Sequence, residues 1–193
     1  MKLLIINNHD SFTFNLVDLI RKLNVPYDVL NVEDLKESTA EKYSHILISP
    51  GPDVPQAYPQ LFSILEKYHQ KKSILGVCLG HQTLCEFFGS TLYNLEKVRH
   101  GQKRILKVRS NSPLFFSLPS EFNIGLYHSW GVQKKDFPSC LEITALCDEG
   151  VVMAMQHKSL PIYGVQFHPE SYMSDFGEQI LHNWLTIPTT INQ

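Results

Sequence analysis

The chain has 193 residues, a formal net charge of −2 and a hydrophobic content of 43%, which are ordinary values for a globular protein with one sizeable core. The small charge, without a basic stripe or a run of like charges, argues against nucleic acid as a partner. No segment is long and apolar enough for a transmembrane helix, and the first apolar run is too short for a signal peptide. We therefore expect a cytoplasmic protein that does not bind a membrane.

Short apolar segments alternate with amphipathic segments through the first half of the chain. Segments rich in Ile, Leu and Val predict buried strands over residues 2–7, 27–32, 45–49 and 73–77. Between them, apolar residues recur at three- and four-residue steps over 12–23 and 61–68, as in amphipathic helices. This alternation predicts an open, mostly parallel sheet with helices on both faces.

From about Thr91 the pattern changes to strand-like segments with little helix. We expect strands over 105–108, 123–127, 143–147, 151–156 and 162–167. A closing helix follows, with Asp175 as its expected N-cap. Because no repeat, low-complexity stretch or linker interrupts the sequence, it predicts one α/β domain over 1–193 with a small antiparallel sheet attached.

Four cysteines offer different chemistries: Cys78, Cys85, Cys140 and Cys147. A chain of this size without an export signal more often keeps its thiols reduced, and a disulfide pair is the alternative. The spacing of Cys78 and His81 resembles that of zinc ligands, but no second Cys/His pair follows at a suitable separation. We expect no metal and no cofactor.

Cys78 lies in the segment GVCLG, where a predicted strand ends and a helical pattern begins. Gly76 and Gly80 suit the sharp strand-to-helix turn that presents a nucleophile. The helix N-terminus favours a thiolate, and the backbone N–H of Leu79 would point to where an oxyanion could form. The alternative is a structural cysteine in a capping turn, and the motif alone leaves both interpretations open.

A cysteine nucleophile needs a base, and the base needs a group that orients it. Among nine histidines, His168 stands out because it ends a predicted strand and opens the segment His-Pro-Glu. Residues two apart in extended backbone face the same side, so Glu170 can accept from one imidazole nitrogen while the other faces Cys78. We predict a triad of Cys78, His168 and Glu170.

Four segments, PGP (50–52), GVCLGHQ (76–82), YHS (127–129) and GVQFHPES (164–171), resemble in order the motifs of triad-type (class I) glutamine amidotransferases. The segment NHDSFTFN (8–15) is similar to the opening of one branch of that family. The branch is the glutaminase subunit, component II, of anthranilate synthase and aminodeoxychorismate (para-aminobenzoate) synthase. The resemblance implies a flavodoxin-like α/β sheet.

The resemblance also implies a reaction and a set of site residues. Cys78 would attack the side-chain amide of glutamine, His168 would move protons, and Glu170 would orient His168. Ammonia would leave, and water would hydrolyse the γ-glutamyl thioester while two backbone N–H groups hold the oxyanion. The resemblance implies that Gly51 and Leu79 supply those N–H groups. The implied substrate-binding residues are Gly51, Pro52, Asp53, Leu79, Gln82, Ser129 and Trp130.

The partner implied by the resemblance is a chorismate-binding synthase subunit, component I, that receives ammonia directly. The product would be anthranilate or 4-amino-4-deoxychorismate. Alternatives are a glutaminase for a different synthetase, a stand-alone γ-glutamyl hydrolase, and a non-catalytic regulatory module. Retention of the cysteine, the histidine and the glutamate disfavours the non-catalytic module.

Some positions depart from the usual pattern of the branch: His9 replaces an aromatic tyrosine, Asp53 a glycine, Gln102 a lysine and Trp130 a leucine. Asp tolerates unusual backbone angles, so we expect the loop at Asp53 to persist, and its shape and charge stay open. Two other questions stay open. Phe12 and Phe14 cannot easily face one core, so one contacts a partner or lies at a helix cap. His128 either orients the substrate strand or satisfies a buried hydrogen bond.

Overall fold

A computed structural model describes residues 1–188. Within this range the strands are β1 Leu3–Asn7, β2 Tyr27–Asn31, β3 His45–Ile48, β4 Ser73–Val77, β5 Leu92–Val108, β6 Glu121–Val132, β7 Leu141–Cys147, β8 Val152–His157 and β9 Ile162–Val165. The α-helices are α1 Thr13–Lys22, α2 Pro59–Tyr68, α3 Leu79–Phe87 and α4 Gly177–Thr186. No helix in the described part of the chain is long and apolar enough to cross a bilayer.

All strands belong to one sheet, in the order β2-β1-β3-β4-β9-β8-β7-β5-β6. Pairing is parallel from β2 to β9 and antiparallel from β9 to β6. The predicted fold class, an open α/β sheet with helices on both faces and an antiparallel part, is confirmed. The antiparallel strands continue the main sheet instead of forming a second one, because β9 pairs with β4 on one edge and with β8 on the other.

The parallel strands β1, β3, β4 and β9 are buried on both faces, which explains their apolar sequences, whereas the edge strand β2 is half-buried throughout. Leu3 and Ile5 of β1 belong to the core cluster that includes residues of α1 and α4. Leu4 and Ile6 belong to the other cluster, with residues of α2 and α3. Alternate side chains of one strand therefore pack against helices on opposite faces, as the two-residue period of a strand requires.

The structure differs from the predicted boundaries mainly in the antiparallel half. β5 and β6 are longer than expected, because they form a long ladder with each other that is interrupted by two register shifts. Most residues of β5 are exposed or half-buried, and its many polar side chains therefore give no apolar strand pattern in the sequence. A helix-capping prediction was also wrong. Phe176, with a left-handed backbone, precedes α4. The Asp175 carboxylate instead accepts hydrogen bonds from the backbone and side-chain nitrogens of Asn123, at 3.1 and 2.8 Å.

Candidate active site

The candidate site lies where the parallel strands end. Gly51 follows β3, Cys78 follows β4, and His168 comes soon after β9, so the sheet order brings three distant segments to one edge. The backbone N–H of Cys78 donates to the carbonyl of Val165 at 2.8 Å, which ties the ends of β4 and β9 together. Open α/β sheets bind ligands here, at the carboxyl ends of their strands.

Cys78 occupies a strained turn between β4 and α3. Its backbone angles are φ 52° and ψ −101°, a conformation that non-glycine residues rarely adopt. A side-chain carbon on Gly76 would lie 2.3 Å from the Gly80 carbonyl oxygen, and one on Gly80 would lie 2.3 Å from the carbonyl oxygen of Ile48. The sharp turn predicted from the two glycines is therefore confirmed, and α3 begins directly at Leu79.

His168 and Glu170 form a buried pair. The Nδ1–H of His168 donates to Oε1 of Glu170 at 2.7 Å, and the two side chains are 2% and 0% exposed. Burial opposes a charge on the imidazole, but the negative charge of Glu170 and the proximity of Cys78 outweigh it. Together they raise the pKa of His168 well above its ordinary value. The buried Nε2 of His168 has no hydrogen-bond partner within the described residues.

Two aromatic rings hold the imidazole edge-on. The ring of Phe12 lies 5.0 Å from that of His168 at 62°, and the ring of Tyr127 lies 5.0 Å away at 69°. Phe12 is the residue that precedes α1, whereas Phe14 is 61% exposed. The two phenylalanines therefore do have different environments, and Phe12 packs on the candidate base. Neither Phe12 nor Tyr127 was predicted from the sequence to belong to the site.

A second set of contacts joins α3 to β6. Nε2 of Gln82 donates to the backbone carbonyl of Trp130 at 3.1 Å, and Nδ1 of His128 donates to the same carbonyl at 2.7 Å. Burial lowers the pKa of His128 to about 4, so the ring is neutral near pH 7. His128 thus makes a buried hydrogen bond that also fixes the strand in which Ser129 and Trp130 lie half-buried.

The loop after β3 adjoins the elbow. A side-chain carbon on Gly51 would lie 2.4 Å from Cδ2 of Leu79, so these two expected oxyanion residues are neighbours. Pro52 and Asp53 are exposed, and the carbonyl of Pro52 accepts a hydrogen bond from the Tyr58 hydroxyl at 2.8 Å. Asp53 has φ 64°, a left-handed backbone conformation that Asp tolerates better than most residues.

Gln166 also belongs to the site, although it was not predicted from the sequence. Its side chain is fully buried between Cys78 and Gln82. Nε2 of Gln166 lies 3.6 Å from the sulfur of Cys78, and Oε1 accepts from Nε2 of Gln82 at 3.1 Å. The spacing contained the signal, because Gln166 stands two residues before His168 and strand-like backbone turns such residues to one side.

The remaining cysteines and two of the unusual positions, His9 and Gln102, lie outside this constellation. All four cysteines are free thiols, and burial raises the pKa of Cys85. The exposed ring of His9 makes a hydrogen bond from Nε2 to Oε2 of Glu33 at 2.8 Å. Oε1 of Gln102 accepts hydrogen bonds from Arg99 and Arg104 of β5, so its side chain is held among the polar groups of this strand.

Comparison with known proteins identifies the family to which the chain belongs. Residues 4–187 match the family model described as Glutamine amidotransferase class-I. The chain therefore belongs to the class-I glutamine amidotransferase family, and the resemblance inferred from its motifs is confirmed.

Two relatives, one at high and one at moderate sequence identity, indicate which branch of the family the chain resembles. The chain is 88% identical over 192 residues to a Haemophilus influenzae protein provisionally named anthranilate synthase component II, with 100% of each chain covered. It is 35% identical over 188 residues to the Bacillus subtilis aminodeoxychorismate/anthranilate synthase component 2, with 95% of each covered. A solved Thermotoga maritima structure, described as a glutamine amidotransferase, shares the fold. Its TM-score is 0.75 at 20% identity, over 96% of this chain and 80% of that one.

Proposed function

We propose that this chain is the glutaminase subunit of a chorismate-using synthase and that Cys78, His168 and Glu170 are its triad. The observation that carries the proposal is the nucleophile elbow at Cys78, beside a buried His168–Glu170 pair joined at 2.7 Å. Membership of the glutamine amidotransferase family supports glutamine as the substrate. The names of the relatives, component II or component 2, support a synthase as the partner.

The raised pKa of His168 supports an imidazolium beside Cys78, which favours a thiolate as the attacking species. The thiolate adds to the side-chain amide carbon of glutamine, and the oxyanion accepts from the backbone N–H groups of Gly51 and Leu79. His168 then protonates the departing nitrogen, and ammonia leaves a γ-glutamyl thioester on the sulfur. Neutral His168 next takes a proton from water, which hydrolyses the thioester to glutamate and returns the thiolate.

Substrate contacts follow from the same geometry. Both N–H groups of Gln82 are used within the protein, so its Oε1 is the atom left to accept from glutamine. The backbone of Ser129 and Trp130 lies beside Gln82 and would meet the α-amino and carboxylate end of the substrate. The exposed loop of Pro52 and Asp53 would close the other side.

A protein partner is supported by apolar side chains close to the triad. Phe14 is 61% exposed two residues after Phe12, which packs on His168. Tyr172 is 88% exposed two residues after Glu170. Large exposed apolar residues near a reactive centre fit a docking face for the protein that receives ammonia. Direct transfer also avoids protonation of ammonia in bulk water, where the ammonium ion cannot attack carbon.

The test uses the complex that copurifies with the full chain from its native cell. It is supplied with chorismate and glutamine, and the aminated product is identified. We expect anthranilate, aminodeoxychorismate or both, each accompanied by one glutamate per product. Release of ammonia without either product would contradict the assignment of the partner, and failure to consume glutamine would contradict the glutaminase itself.

A further inference from the structure

We propose that Gln166 is a further catalytic residue, whose side-chain N–H donates a hydrogen bond to the Cys78 sulfur and stabilises its thiolate form. This inference rests on the proposed function and deepens it. Gln166 does not transfer a proton or form a bond to the substrate. It acts on the charge of the sulfur before attack and again when the thioester is hydrolysed and the thiolate is expelled.

The contacts of Gln166 place it between the nucleophile and the substrate side of the site. Its backbone N–H donates to the carbonyl of Met153 at 2.8 Å, which anchors the residue next to β8. Its side chain is 0% exposed, with Nε2 at 3.6 Å from the Cys78 sulfur and Oε1 at 3.1 Å from Nε2 of Gln82. Both ends of the amide are therefore committed within the protein.

The orientation of the amide follows from a backbone carbonyl. The carbonyl oxygen of Trp130 can only accept, so Gln82 must present its nitrogen to it. The second N–H of Gln82 then points at Gln166, and the atom that meets it must be the acceptor Oε1. The nitrogen of Gln166 is consequently the atom that faces the sulfur. The polarity of this relay is determined by hydrogen-bond chemistry and does not depend on telling nitrogen from oxygen.

The neighbours of Trp130 hold the relay in place. His128 also donates to the Trp130 carbonyl, at 2.7 Å, so two donors occupy both acceptor positions of that oxygen. A neutral thiol is a weak acceptor, whereas an anionic sulfur makes a stronger, charge-assisted hydrogen bond. In a buried site this difference is large, because little water competes for the anion. Gln166 therefore favours the ionised form of the sulfur over the neutral one.

The test is the pH dependence of alkylation of Cys78 by iodoacetamide in the full chain, which needs neither glutamine nor a partner. Peptide mass spectrometry separates Cys78 from the half-buried Cys140. The variants are Gln166→Met, which keeps the volume and removes the donor, and Gln166→Glu, which places an acceptor against the sulfur. Gln156→Met is the matched control, because its amide binds Glu142 on β7, away from Cys78.

We expect the midpoint of the alkylation profile to rise by about one pH unit in Gln166→Met and further in Gln166→Glu. The profile of the Gln156→Met control should match that of the unmodified chain. Gln82→Met provides a second route, because it removes the group that orients Gln166 and should raise the midpoint by a smaller amount. It serves as the deciding variant if substitutions at Gln166 prevent folding, as judged by urea unfolding.

Profiles that overlap with that of the unmodified chain, in variants that unfold cooperatively, would overturn the role of Gln166. Failure of this inference about Gln166 and failure of the proposed function give different results. A shifted profile in a chain whose complex consumes no glutamine would leave the Gln166–Cys78 interaction standing and remove the reaction assigned to it. An unshifted profile in a complex that consumes glutamine normally would remove the Gln166–Cys78 interaction and leave the proposed reaction standing.

Discussion

Replacing Glu170 by Gln removes a buried negative charge while keeping the size of the side chain and an oxygen that can accept from His168. The charge of Glu170 is the largest influence that raises the pKa of His168 against the effect of burial. Without it, burial dominates and the imidazole becomes neutral in the folded chain. We therefore expect Glu170→Gln to change how folding stability depends on pH.

The sign of the effect follows from proton linkage. A histidine whose folded pKa is raised contributes stability that is complete below its unfolded value of 6.5 and is lost as the pH rises through the folded pKa. Between these limits the folded state holds one more proton, so stability falls by about 1.4 kcal/mol for each pH unit. The pair is 2% and 0% exposed, so solvent screens its interaction little.

The assay is urea unfolding from pH 7 to 8 in a Cys78→Ser background, which removes the thiol beside His168 and leaves Glu170, the largest influence that raises the pKa of the imidazole. The chain with Glu170 should lose stability more steeply with pH than the Glu170→Gln chain, by up to about 1.4 kcal/mol for each pH unit, because both chains share any contribution from the buried Cys85 thiol. Glu142→Gln is the control, since this carboxylate pairs with the amide of Gln156 at 2.8 Å and not with a histidine. Equal slopes with and without Glu170 would refute the charged His168–Glu170 pair.

Three further predictions concern the rest of the molecule. Burial lowers the pKa values of His45 and His128 to about 4 and of His81 to about 3. The stability that they contribute as neutral groups is present above pH 6.5, so urea unfolding should show a steep loss below it; constant stability down to pH 5 would contradict this. Gly80→Ala should destabilise the fold by about 1–3 kcal/mol or more, because the added carbon lies 2.3 Å from the Ile48 carbonyl oxygen; an unchanged urea midpoint would argue against a tight elbow. Phe12→Ala should lower kcat for glutamine hydrolysis by about tenfold through misplacement of His168, whereas Phe14→Ala should not; equal rates in the two variants would count against the packing role.

The parallel half of the fold could be predicted because its central strands are buried on both faces. Ser73–Val77 was predicted with both of its ends, since all five residues are buried and turn signals flank them. The elbow at Cys78 was predictable because its flanking glycines indicate a close approach of backbones. The extent of β5 and β6 was not, because exposed strands carry polar residues that do not alternate clearly.

The candidate site was predicted where neighbours in sequence are also neighbours in space. His168 and Glu170 stand two residues apart, so their pairing followed from local geometry. Phe12 and Tyr127 were missed because only the sheet order brings α1 and β6 to His168, and neither segment shows this alone. Asp175 resembled a helix cap in sequence, but a long-range hydrogen bond to Asn123 uses its carboxylate instead.

The central claim is that Cys78 alone supplies the nucleophile for glutamine, and the most direct measurement compares two nitrogen sources. The copurified complex is assayed for aminated chorismate product with glutamine and with ammonium salts, in the unmodified chain, Cys78→Ser and Cys140→Ser. Cys140 is a free, half-buried thiol outside the candidate site, which makes it the matched control. We expect Cys78→Ser to abolish the glutamine-dependent rate and leave the ammonium-dependent rate intact, with Cys140→Ser unchanged on both. A glutamine-dependent rate that survives in Cys78→Ser would contradict the proposed mechanism.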